Sequence, residues 1–141
     1  MKSTEVIIFV EFQAINLETK KKVYVSFGRN EYGNYKRYDF VSDRTPKNGF
    51  FFDGSDKLCE SLFMKFLQQI EGLGDFNDWL DTISNDESSV EWHVKITFLS
   101  GKNRIIRGNK LQYSPLTVLL DNLSLYFINL KEEFMKLYEI R

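Results

Sequence analysis

The chain has 141 residues, 43% hydrophobic and 28% charged, with eight glycines and two prolines. That balance excludes disorder, collagen and coiled-coil arrays, and it gives a chain long enough to bury a core without disulfide or metal staples. Nineteen Lys and Arg stand against twenty Asp and Glu, a net charge of −1, so no global field draws the protein to nucleic acid or to an anionic membrane and any electrostatic function is local.

The first predicted element is a half-buried strand from Thr4 to Ala14, because Val6, Ile8, Val10, Phe12 and Ala14 form one wholly apolar parity. The polar stretch from Asn16 to Lys21 reverses the chain into Val23, Val25 and Phe27. Gly28 to Asn34 turns it again into a strand from Tyr35 to Val41, so the first third reads as an antiparallel meander. Phe50, Phe51 and Phe52 add a short fourth strand. Leu58, Cys59, Leu62, Phe63, Phe66, Leu67 and Ile70 recur at helical spacing between a Ser55 or Asp56 cap and Gly72. Phe76, Trp79, Leu80 and Ile83 repeat that spacing behind Asp75 and predict a second, short, acidic helix.

The strand from Val90 to Phe98 alternates cleanly, with Val90, Trp92, Val94, Ile96 and Phe98 on one face and Glu91, His93, Lys95 and Thr97 on the other. A hairpin loop at residues 100–103 leads into a strand from Arg104 to Gly108. Ser114 is expected to cap a long C-terminal helix with Pro115 at its first position, striped by Leu116, Leu119, Leu120, Leu123, Phe127, Leu130, Phe134 and Leu137. The order predicts a single α+β domain over 1–141: an antiparallel β-sheet, meander plus C-terminal hairpin, packed against that helix. Val118 and Leu125 lie off the stripe, and an exposed strip there would serve self-association, a homo-oligomer through the C-terminal helix.

Chemistry-bearing residues are few. His93 is the only histidine and sits on the polar parity of its strand; Cys59 is the only cysteine and sits in an apolar helix stripe, which rules out an internal disulfide and a multi-cysteine metal site and fits a reducing compartment. The glycines of residues 28–33 open no helix and precede no Lys-Ser/Thr pair, so they make a hairpin and not a phosphate loop. No nucleophile elbow, HExxH, paired CxxC or calcium-loop spacing occurs, so neither an enzyme nor a cofactor is expected. The apolar run from Val6 to Val10 is too short to span a membrane and has no cleavage site, which makes a cytoplasmic location the expectation.

Charge is distributed unevenly along the chain. Between Phe66 and Val94 there is no Lys or Arg, while Glu71, Asp75, Asp78, Asp81, Asp86, Glu87 and Glu91 are present; Lys95, Lys102, Arg104, Arg107 and Lys110 then follow without an acid. Glu71, Asp75, Asp78, Asp81, Asp86 and Glu87 form the expected partner-binding surface, able to meet a basic protein or protein–nucleic-acid complex where phosphates would otherwise sit. Three-residue steps from Asp75 to Asp81 spiral around a helix and do not converge on a metal.

Two rival readings stand beside this one. Basic residues with aromatics, in the run from Tyr35 to Tyr38 and at Arg104, Arg107, Lys110 and Tyr113, are the raw material of a nucleic-acid-binding accessory protein. A small enzyme would need a site of dispersed carboxylates or one built on His93.

Ala14 is the only alanine among abundant Lys, Asn, Ile, Phe and Tyr, the residue usage of an AT-rich coding sequence. In size, composition and lack of catalytic residues the chain resembles the small phage- or mobile-element-encoded inhibitors of bacterial defence, the anti-CRISPR proteins among them. That class shares no fold or motif, so the resemblance assigns no residue and implies only non-enzymatic inhibition of a nucleic-acid-processing host complex.

Overall fold

The computed structural model describes residues 6–29, 33–42, 50–52, 56–74, 76–82, 89–110, 113–127 and 129–138. Six strands form one antiparallel sheet: β1 (Ile7–Asn16), β2 (Lys22–Arg29), β3 (Tyr35–Ser42), β4 (Phe50–Phe52), β5 (Val90–Phe98) and β6 (Asn103–Gly108), in the spatial order β4-β3-β2-β1-β5-β6. The meander supplies the first four strands, and the C-terminal hairpin adds itself beside β1. The register aligns Phe12 with Val25 and Val94, and Val94 with Ile106. One face of the sheet therefore carries an unbroken apolar surface.

Three helices lie on that face: α1 (Asp56–Gln69), α2 (Ser114–Leu123) and α3 (Leu130–Lys136). The core is aromatic. Phe27 has no exposed surface and its ring lies 5.1 Å from Phe63, 5.5 Å from Phe66, 5.3 Å from Tyr126 and 5.8 Å from Phe127, while Phe12 meets Phe134 edge-on at 5.2 Å. Such pairs add about 0.5–1.5 kcal/mol each to the burial they share. Polar ties fix the layers: the Tyr126 hydroxyl donates to Gln69 Oε1 (2.7 Å), and Asn16 Nδ2 donates to the Leu137 carbonyl (2.7 Å) while its Oδ1 accepts from the amides of Glu18 and Thr19.

A bulge in β1 between Ile7 and Phe9 changes the predicted parity, so that Ile7 and not Ile8 packs against the core. Gly28, expected in the loop, is instead inside β2 opposite this bulge, with φ of +134°; a Cβ there would strike the Ile8 carbonyl and lie 2.7 Å from Phe9 Cα.

Two helix expectations are corrected. The long C-terminal helix is two helices, separated where Asn129 adopts the left-handed conformation (φ 64°), which asparagine tolerates better than most residues. Every residue of the predicted stripe is nonetheless buried, because the break redirects the chain without turning the apolar side away from the sheet. Helix α2 also begins at Ser114, with Tyr113 in the capping position and no side-chain cap. Among the described residues the short acidic helix is reduced to a 3-10 turn at Phe76–Asp78, after another at Glu71–Leu73, and the chain then reaches the bridge at Thr82 without further helix. Phe76 and Trp79 are buried together, their rings 4.8 Å apart, whereas Leu80, predicted on the same stripe, is 70% exposed. Ile83 lies outside the described residues.

Among the described residues no helix is long and apolar enough to cross a membrane.

Candidate functional site

The acidic segment is built onto the outer edge of β6. Thr82 forms a parallel bridge with Gly108, its amide donating to the Arg107 carbonyl (2.9 Å), and Asp81 Oδ1 accepts the Arg107 amide (2.9 Å). Arg104 closes the junction from the other side: Nη2 donates to the Trp79 carbonyl (2.5 Å) and Nη1 to the Ile105 carbonyl (2.6 Å). The Leu80 amide donates to the Tyr113 hydroxyl (3.2 Å), and the Tyr113 ring stands edge-on to Trp79 at 5.8 Å and stacked on Trp92 at 6.1 Å. Gly108 permits this packing, because a Cβ there would overlap the Trp92 indole and the Thr82 hydroxyl.

The result is a loop held through the backbone at Trp79, Leu80 and Thr82 and through the carboxylate at Asp81. Its outward side chains are Asp78, Leu80 and Asp81, all exposed. Leu80 is the most exposed large hydrophobic among the described residues. Glu71 is exposed one turn earlier, whereas Asp75, Asp86 and Glu87 lie outside the described residues. Of the six predicted partner-binding acids the structure thus places Asp78 and Asp81 on one loop, and it gives Asp81 a structural task, holding the edge of β6. Leu80 is the functional candidate that sequence reasoning missed. No local signal marked it, because Trp79 and Leu80 both fit the helical spacing of Phe76 and Ile83.

The other face of the sheet carries none of the three helices. Its cross-strand rows run Tyr24, Gln13, His93, Arg107 and then Ser26, Glu11, Lys95, Ile105, with Ile15 beside Glu91. The Tyr24 hydroxyl donates to Glu11 Oε1 (2.9 Å). A recess of about 110 Å³ opens at Gln13, Ile15, Glu91, Trp92, His93, Arg107 and Gly108. Burial lowers the His93 pKa from its ordinary 6.5, against the pull of the Glu11 carboxylate and helped by Arg107 and Lys95, so the imidazole is neutral at pH 7. Cys59 is fully buried in α1. Among the described residues no three of His, Cys, Asp or Glu gather into a group that could hold a metal ion.

No protein-family model matches the chain, and no curated protein matches it.

Proposed function

We propose that this protein works by binding a protein partner, without turnover, through the loop at residues 78–81. The carrying observation is Leu80, 70% exposed at the tip of a backbone that Tyr113, Asp81, Thr82 and Arg104 hold in place. A large apolar side chain on a pre-organised loop enters a partner's pocket with little entropy left to lose, which is the anatomy of an interface anchor. Asp78 and Asp81 beside it on the loop define the partner's chemistry: a basic surface with an apolar socket. A nucleic-acid-processing complex presents such a surface, and an inhibitor of the anti-CRISPR kind would occupy it.

The test replaces Leu80 with Ala and, as a matched control, Leu125 with Ala, since Leu125 is 65% exposed on the helical side. With the partner purified after nuclease-treated affinity capture, Leu80→Ala should weaken binding by about 2 kcal/mol, roughly thirtyfold. Asp78→Asn should reduce the salt dependence. Equal affinity of the Leu80 and Leu125 variants would refute the reading. Charge reversal at Asp81 is not a clean probe, because it also removes the acceptor of the Arg107 amide.

A further inference from the structure

We infer that the recess on the open sheet face is a seat for one unpaired nucleobase of a single-stranded nucleic acid, with guanine the best fit. This inference does not depend on the loop reading, although Trp92, Arg107 and Gly108 border both the recess and the seat of the loop.

The recess joins β1, β5 and β6: Gln13, Ile15, Glu91, His93 and Arg107 alternate away from the helices, and Trp92 and Gly108 complete the lining. Register places His93 between Gln13 and Arg107, and Glu91 beside Ile15. Its lining therefore holds donors and acceptors of several kinds around an aliphatic wall: a guanidinium, a carboxylate, a primary amide and an imidazole. A purely anionic ligand fits badly beside Glu91, and a cation fits badly beside Arg107. A neutral planar ring with donors on one edge and acceptors on another satisfies both. Guanine offers O6 and N7 to an arginine fork and its N1–H and N2–H groups to a carboxylate. Against the roughly 150 Å³ that encloses a benzene ring, an open recess of about 110 Å³ takes most of one six-membered ring. Neutral His93 can donate from one nitrogen, accept at the other, and present a ring face for stacking.

The surroundings suit a nucleic-acid strand better than a protein amide. Tyr24 lies at the far end of the same row and Phe9 is half-buried on the same face, giving aromatic surface for neighbouring bases. Lys95 and Lys22 supply cations for phosphates along the face, and Glu11, opposite Lys95 in register, accepts the Tyr24 hydroxyl. Arg107 is fixed at its backbone by Asp81 and Thr82, so its side chain starts from a set position.

The probe is a fluorescein-labelled oligouridine of about ten nucleotides, with and without one central guanosine, read by anisotropy at low and moderate salt. The guanosine strand should bind about tenfold more tightly. Arg107→Gln should remove that gain. Glu91→Gln should erase the preference for guanosine and, by removing a negative charge beside the strand, raise oligouridine affinity, a split that general loss of folding does not produce. Lys95→Gln should weaken both strands alike and lower the salt slope by about 1, whereas Lys136→Gln on α3 should change nothing. Absence of saturable binding up to about 100 μM, equal affinity for the two strands, or displacement of the strand by an asparagine- or glutamine-rich peptide would each overturn the inference.

Discussion

Gly108→Ala adds one methyl group at the point where β6, Trp92 and the 79–82 loop meet. The new Cβ would lie 2.8 Å from Trp92 Cε2 and closer still to Cζ2 and to the Thr82 hydroxyl, so the indole must move. Overpacking of this kind costs about 1–3 kcal/mol. Moving the indole also breaks its hydrogen bond to the Lys110 carbonyl, now 2.9 Å, worth about 1 kcal/mol net. The sum, about 2–4 kcal/mol, corresponds to a fall in Tm of roughly 6–12 °C for a chain of this size. Urea unfolding followed by tryptophan fluorescence reads the change directly, because Trp79 and Trp92 are the only two tryptophans and both pack at this junction. Gly72→Ala is the control: a Cβ there meets nothing within 4 Å, and the change should stay within about 0.5 kcal/mol. A loss below about 1 kcal/mol for Gly108→Ala would show that Trp92 does not lie across Gly108 and that the loop is not seated as described.

Three further outcomes follow from the packing and the electrostatics. Phe27→Ala, which empties the centre of the aromatic cluster, should cost about 3–5 kcal/mol in urea unfolding. Because burial keeps His93 neutral in the fold, the unfolded chain takes up that proton first as pH falls; stability should therefore decline as pH drops below 6.5, until the lower folded pKa is reached. His93→Gln should flatten that part of the profile, measured as thermal melts from about pH 7.5 to about pH 5. Asn129→Ala should cost about 1 kcal/mol in chemical denaturation through its left-handed backbone, and Asn129→Gly should not.

Local pattern carried most of the fold. Val10, Phe12 and Ala14 of the β1 parity, the β5 parity and the stripe from Leu116 to Leu137 each marked the side that is buried, whereas Val6 and Ile8, before the bulge, did not. What sequence could not separate was continuity from periodicity: Phe127 and Leu130 keep helical spacing across Asn129, so the stripe looks the same whether the helix runs on or stops and restarts. The acidic segment failed for a related reason. Phe76 and Trp79, three apart, suit a 3-10 turn as well as an α-helix, and only contacts with β6, distant in sequence, decide that Leu80 points outward. The recess was legible only as a polar parity containing Glu91 and His93. Its other walls, Gln13, Ile15 and Arg107, arrive through pairings that no local spacing encodes.

The interior place of β1 has a consequence for how the chain is made. One side of β1 pairs with β2, its immediate successor, but the other pairs only with β5. At about 5–20 residues per second, the roughly seventy residues from the end of β2 to the end of β5 take about 3–14 s to leave the ribosome. Throughout that interval a nascent hairpin bearing Val10, Phe12, Val25 and Phe27 has an open ladder on its β1 side and no completed helical layer, the condition in which strands join the wrong neighbour. Substitutions in β5 that leave the finished protein stable will therefore register first as lost soluble yield, and coexpressed holdase chaperones will restore it.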